Sequence, residues 1–275
     1  MTNREETLIA PVPGLSEMTF KDLWRHRDLL RYLVKRDMQM AYANTAAGVF
    51  WVLLQPLATA LVLTVVLGIL IRVPTAGQPY PLVILAAYPF WIYFSNVVSR
   101  SANSMGANAH LLTKVYFPRV IIVLVPLVAG LLDLAVLLGV TLVAALFYGR
   151  FPQISWLMLV VPVLLVIPLA LGTGLWFSLL TVHVRDIGIA LPVALQMAMY
   201  CSPVLYPIAL VPSDWRWLYD LNPMVGIVET SRWALLGVGE IPWYSLGASV
   251  IVGLTLLVTG IVFFRALEDA TADLI

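Results

Sequence analysis

The sequence predicts an all-α polytopic membrane protein with six transmembrane helices, a cytoplasmic interfacial helix at the N-terminus and short re-entrant or gate helices before the last span. Three observations predict it. Hydrophobic residues make up 61% of the 275-residue chain and charged residues 11%, against about 25% charged in a soluble domain, and mean hydropathy is +0.93. Apolar runs of about 20 residues recur, the length a helix needs to cross roughly 30 Å of hydrocarbon. Twelve of the sixteen Lys and Arg residues fall on one side of the spans those runs define.

The elements follow in order. Residues 1–20 are polar and proline-broken, with Arg4, Glu5 and Glu6 at the front, so no cleavable signal is expected. Residues 1–47 form a cytoplasmic N-terminus. Thr19 followed by Asp22 marks a helix start of the capping-box kind. Leu30, Leu33, Val34, Met38 and Ala41 then recur at helical spacing, while Arg27, Asp28, Arg31, Lys35 and Asp37 fall largely elsewhere. Such a helix is expected to lie along the membrane surface, its face built from Leu30, Arg31, Leu33, Val34, Lys35 and Arg36. Two roles stand open for it, a surface anchor and a docking helix.

The spans are read at 48–71, 81–99, 120–148, 157–182, 188–206 and 246–264, within a single transmembrane domain covering 1–275. No internal repeat, low-complexity linker or second soluble domain interrupts them. The loop 100–119, RSANSMGANAHLLTKVYFPR, is long for a compact protein. Its small polar residues suit a short helix seated in a groove of another protein. The apolar stretch 223–238 is too short to span and carries Glu229 and Arg232, so it reads as half-inserted or interfacial. The segment 207–245, with Trp215, Trp217, Tyr219, Trp233, Trp243 and Tyr244, reads as a structured outer cap, and 265–275 as a cytoplasmic tail.

Charge sets the orientation. The N-terminal 47 residues hold seven basic side chains; Arg100, Lys114, Arg119, Arg185 and Arg265 share their side. The other side has Arg72, Arg150, Arg216 and Arg232, and 207–245 is net acidic. The positive-inside rule therefore places both termini in the cytoplasm, as an even number of spans requires.

Aromatic residues concentrate in the second, fourth and fifth spans. Tyr88, Trp91 and Phe94 sit above Ser95, with Trp176, Phe177 and Tyr200 on other helices. Aromatic faces accept sugar rings and apolar chains without one fixed geometry, so a pathway lining and plain core packing both stand open. Tyr80, Tyr148, Trp156 and Tyr206 read as an interfacial belt. Asp133 is the one acid well inside a span; without a nearby Lys, His or second acid it reads as structural rather than as a proton relay. Gly172-Thr173-Gly174 reads as a close-packing site for a neighbouring helix.

Missing motifs narrow the class. The chain has no GxxxxGK[ST] loop, no GxSxG nucleophile elbow and no HExxH metal site. His26, His110 and His183 show no metal spacing, and one cysteine, Cys201, excludes an internal disulfide. No catalytic residue, metal site or resident cofactor is expected, nor any nucleic-acid partner.

Five ordered stretches carry a family resemblance: RDLLRYLVKRDMQMAY (27–42), GVFWVLLQPL (48–57), NAHLLTKVYFPRVIIVL (108–124), LNPMVGIVETSRWALLG (221–237) and FFRALEDATADLI (263–275). Together they resemble the transmembrane permease of type-two ABC exporters, in the branch that moves polysaccharides and polyol phosphates: O-antigen, capsule and teichoic-acid export. Ala41 and Thr271 depart from the family's usual basic residue and Phe. The resemblance implies a multi-pass protein of the bacterial cytoplasmic (inner) membrane. It implies a homodimer bound to two cytoplasmic ABC ATPase subunits, which bind ATP and Mg. It implies a coupling helix within 100–113, with Asn103, Ser104, Asn108, His110 and Leu111 at the ATPase. It implies an outer gate over 207–238, here Trp215, Trp217, Asn222, Glu229, Arg232 and Trp233. The cargo it implies is a polyprenyl-phosphate-linked glycan, and Arg31, Lys35, Arg36, Lys114 and Arg119 are candidates to attract its phosphate. Export of a small hydrophobic drug or lipid shares this architecture. A proton-coupled secondary transporter would depend on Asp133 and need no ATPase, and a glycan-modifying enzyme would need a catalytic acid or metal pair.

Overall fold

A computed structural model describes residues 24–42, 50–114, 117–237 and 239–267. The helix-start signal at Thr19 and Asp22, the first residues of the 48–71 span and the tail from 268 onward lie outside the described residues. The described residues are helical, with no strand among them. In a bilayer this is expected, because a helix satisfies its backbone groups within one segment.

The helices are α1 (Arg27–Tyr42), α2 (Phe50–Leu63), α3 (Tyr80–Ala107), α4 (Ala109–Lys114), α5 (Val120–Phe147), α6 (Val160–His183), α7 (Arg185–Cys201), α8 (Ser213–Asp220), α9 (Pro223–Leu236) and α10 (Trp243–Leu267). A π-helical stretch, Thr64–Leu70, continues α2, and a 3₁₀ turn, Ile154–Leu159, leads into α6. Four helices are long and apolar enough to cross a membrane: Tyr80–Ala107, Val120–Phe147, Ile154–His183 and Trp243–Leu267. They coincide with the second, third, fourth and sixth expected spans. The first is represented by the shorter apolar helix Leu54–Leu70.

The fifth expected span differs. Its helix begins at Arg185 and ends at Cys201, so 202–206 leave it as a turn. At 1.5 Å per residue its 17 residues reach about 25 Å, short of the roughly 30 Å core. The second expected span is longer than the apolar run alone. Ser, Asn and Ala in 100–107 do not break a helix, so α3 continues for 28 residues, about 42 Å. Asn108 ends it with φ −113° and ψ 20°.

The deeply buried α3 packs between α5 and α6, and α10 packs on the far side of α6. Helix α9 inserts against α3, α6 and α10, meeting α3 near its start at Val83 and Ala86. Eleven of its fourteen residues are buried, so the stretch expected to be half-inserted or interfacial is enclosed by protein. Asn222 caps it, its Oδ1 accepting from Met224 N at 3.0 Å, with Pro223 at the first helical position. Gly237 closes it with φ +65°.

Hydroxyls stitch the spans together. Pro89 lacks an N–H, which leaves the Leu85 carbonyl without its helical donor; Thr141 Oγ1 of α5 lies 3.0 Å from that oxygen. Tyr93 donates to Leu127 O at 3.1 Å, and Ser231 to Ala86 O at 2.6 Å. Tyr80, expected in an interfacial belt, is 6% exposed and donates to Leu205 O at 2.5 Å. The Gly172–Gly174 site does bring helices close. A Cβ on Gly172 would lie 2.5 Å from the Leu256 and Leu257 backbone of α10, and one on Gly174 would lie 2.9 Å from Ser101 of α3.

Candidate functional site

Features of interest gather at the two ends of α3. At its C-terminal end, α1 crosses the start of α5. Leu33 is 1% exposed and packs with Phe117, Ile121, Ile122 and Val125, with Leu30 and Val34 beside it. The apolar face of α1 is thus covered by protein, and lipid is not needed to bury it. Arg27, Arg31 and Lys35 stay exposed on the opposite side.

Polar contacts lock α1 to the end of α3. Arg36 Nη2 donates to Asn108 Oδ1 at 2.7 Å, and Arg100 pairs with Asp37. Asn108 is the residue where α3 ends, so the link holds the junction between α3 and α4. Of the residues expected to meet an ATPase, Asn103 and His110 are exposed and Asn108 is half-buried on Arg36. Ser104 is buried and donates to Ser101 O at 2.7 Å, and Leu111 packs toward α1. The structure therefore presents Asn103 and His110 outward and uses the other three to hold the segment.

A cavity of about 550 Å³ opens between α1, α3 and α5, lined by Arg36, Asp37, Arg100, Asn103, Asn108 and His110 among others. Arg36 Nε is buried there with no hydrogen-bond partner among the described residues. A buried donor without an acceptor is costly and suits an anion that supplies one. Arg31, Lys35 and Lys114 are exposed beside this end and Arg119 is half-buried. Arg100 and Asp37 are 63 residues apart, so no local spacing reveals their pairing. Asp133 lines a small cavity with Tyr93, Asn96 and Arg100, which brings a basic side chain near the acid that looked isolated in sequence.

At the other end, α8 and α9 form two short helices before the last span. Trp215 and Trp217 are exposed on α8. Asn222 Nδ2 donates to Ser202 Oγ at 2.9 Å, tying the start of α9 to the turn after α7. Arg232 is 6% exposed, and its guanidinium donates to Glu229 Oε1 at 2.7 Å and to four carbonyls. Those carbonyls are Pro203 at 2.6 Å, Val204 at 2.7 Å, Tyr206 at 3.1 Å and Val83 at 3.2 Å. One side chain thus fastens α9, α3 and the 203–206 turn, and Trp233 lies next to it, facing a cleft.

The aromatic set divides. Tyr88, Trp91 and Phe94 are buried in the core, with Trp91 and Phe94 rings 5.7 Å apart. Ser95 is half-buried and donates to Ile92 O at 3.2 Å. Trp176 stacks on Phe263 of α10 at 4.1 Å and donates to Thr259, while Phe177 packs against the core. Tyr200 is exposed, on the side of α7 that also carries exposed Ile189, Val193 and Met197.

Comparison with known proteins agrees with this architecture. The family model described as ABC-2 type transporter matches residues 28–236. The O-antigen export system permease protein RfbA of Klebsiella pneumoniae is 24% identical over 250 residues, covering 90% of this chain and 95% of that protein. Its namesake in Myxococcus xanthus is 28% identical over 214 residues, covering 76% and 81%. The polysialic acid transport protein KpsM of Escherichia coli is 27% identical over 241 residues, covering 86% and 93%.

Proposed function

The chain belongs to the ABC-2 type transporter family, and from that premise we propose that it is the channel-forming subunit of an ATP-driven exporter of a lipid-linked polysaccharide. The observation that carries the reading is likeness along 90% of the chain to an O-antigen export permease. Two copies form the path, two cytoplasmic ATPase subunits bind ATP and Mg, and six crossings leave both termini in the cytoplasm. A teichoic-acid-type polymer fits the same architecture.

The ATPase docks on the exposed side of the 100–113 segment, where Asn103 and His110 face outward. Because Arg36 holds Asn108 and Arg100 holds Asp37, a push on this segment moves α1 and α3 together. The cavity beside it receives the phosphate of a polyprenyl-phosphate-linked glycan: Arg36 offers an unpartnered Nε, and Arg31, Lys35, Lys114 and Arg119 raise the local positive potential. The glycan then passes the exposed face of α7, where Tyr200 meets it directly. Tyr88, Trp91, Phe94, Ser95, Trp176 and Phe177 stand behind and contribute as the dimer opens. Helices α8 and α9 gate the outer end.

The test pairs assembly with coupling. The wild-type chain is expected to co-purify with a cytoplasmic ATPase and to restore surface polysaccharide in cells lacking it. His110→Glu is expected to abolish polysaccharide-stimulated ATP hydrolysis while the chain still folds and dimerises. Unchanged coupling in that variant would remove the docking assignment, and failure of the wild type to restore polysaccharide would remove the export reading.

A further inference from the structure

At the end of α3 remote from α1, a cleft of about 510 Å³ lies between the 74–78 loop, the gate helices and the start of α10. The volume is within the roughly 300–1,000 Å³ range of small-ligand sites. Its lining combines two kinds of side chain. Trp233, Trp243 and Tyr244 supply flat apolar faces; Asp220, Glu229, Glu240, Arg216 and Gln78 supply hydrogen-bonding groups. Trp243 is 68% and Tyr244 90% exposed. Both rings suit the membrane–water interface; what distinguishes them is that they line one cleft with Asp220, Glu229 and Glu240.

The cleft is braced before any ligand arrives. Arg232 and Glu229 form its rigid floor through the bonds already described. Asp220 Oδ1 accepts from Ser245 at 2.6 Å, which joins α8 to α10. Arg150 holds Gln78, and Thr75 Oγ1 donates to Gln78 O at 2.6 Å, fixing the loop wall. The polar groups are therefore held in place, and little ordering cost is left for binding.

We infer that this cleft is a saccharide-binding site at the outer mouth of the path, built for a neutral pyranose segment of the emerging polymer. The inference rests on the export reading above for its source of ligand. An aromatic face lies against the apolar C–H side of a sugar ring, while carboxylates accept hydrogen bonds from its hydroxyls. The charge balance selects a neutral ring. Among the described lining residues Arg232 is consumed by Glu229 and four carbonyls, and Arg150 stands behind the wall on Gln78. This leaves Arg216 facing Asp220 and Glu240, so the open face is net acidic and disfavours an anionic sugar. Capture here holds the leading segment outside while the gate helices close behind it.

The experiment uses the full-length chain in lipid nanodiscs. The probes are oligosaccharide fragments released by mild acid from the surface polysaccharide of the source cells, and a sialic acid trimer as the anionic arm. Saturation-transfer NMR is expected to show the native fragments binding and the trimer not binding. Trp243→Ala is expected to weaken binding about three- to tenfold, the worth of one aromatic contact; Trp243→Phe restores it. Phe147→Ala, which removes an exposed ring outside the cleft, leaves it unchanged. Fragments that fail to bind, or that bind Trp243→Ala as well as wild type, overturn the site; equal binding of the trimer overturns its neutral specificity. The two readings separate in cells: if the wild-type chain restores surface polysaccharide yet its fragments do not bind, the cleft assignment alone fails.

Discussion

Arg232 shows how much one buried cation organises. Its side chain is 7% exposed and that of Glu229 is 17% exposed, so neither is hydrated as a surface charge would be. Desolvation opposes burial of such a pair, and the carbonyls of Pro203, Val204, Tyr206 and Val83 offset it by filling the remaining donor positions. Arg232→Met should therefore destabilise the protein by about 3–5 kcal/mol, because it leaves Glu229 buried without its cation. Thermal unfolding in detergent checks the magnitude, and limited proteolysis within 202–212 checks that the turn is what loosens. Arg232→Lys should rescue only in part, since an ammonium cannot reach acceptors arrayed around a planar fork. A melting temperature for Arg232→Met equal to wild type would show that the turn is held by something else.

Among elements, the α6–α10 contact is set by glycine. Gly172 and Gly260 face one another, a Cβ on Gly260 lying 2.8 Å from Gly172 O. Close backbone approach replaces hydrophobic association between helices where the solvent is lipid. An exposed helical Gly→Ala change normally gains about 1 kcal/mol of helix propensity. Gly172→Ala should do the reverse, costing on the order of 1–3 kcal/mol by overpacking against the Leu256 and Leu257 backbone. Gly139 of α5 has nothing within 4 Å of its would-be Cβ, so Gly139→Ala serves as the control with neutral or raised stability. Equal melting temperatures for the two variants would contradict the close-contact account. The same scale explains what sequence spacing could and could not reveal. The small-residue run at 172–174 was legible because lipid-embedded helices need such residues to touch. The extension of α3 to Ala107 was not, since polarity marks where the membrane ends, and a helix does not have to end there.

Across the whole molecule, the charge asymmetry coincides with the two ends of α3. The cation-lined cavity lies toward one end and the aromatic cleft toward the other, about 30 Å apart along α3 from Val83 to Asn103. Cys201, the chain's one cysteine, is exposed at the end of α7 nearest the gate helices. In the proposed orientation a membrane-impermeant maleimide should label it in intact spheroplasts. In a Cys201→Ala background, His110→Cys should react only after permeabilisation. The opposite pattern would invert the topology and move the cleft to the cytoplasm.

The positions of the four long apolar helices follow from the sequence alone, because the bilayer imposes one length and one polarity on anything that crosses it; the first and fifth of the six expected spans are shorter helices. So do the amphipathic character of α1 and the short helices before the last span. Tertiary structure alone decided what those helices touch. Tyr88 and Trp91 belong to the buried core, though their spacing fits a path lining equally well. The apolar face of α1 is spent on α5 rather than on lipid. Arg100 finds Asp37 and Arg232 finds four carbonyls across large sequence separations. Hydropathy reports which solvent a residue tolerates, and it is silent on partners, because within a membrane protein core and lipid are almost equally apolar.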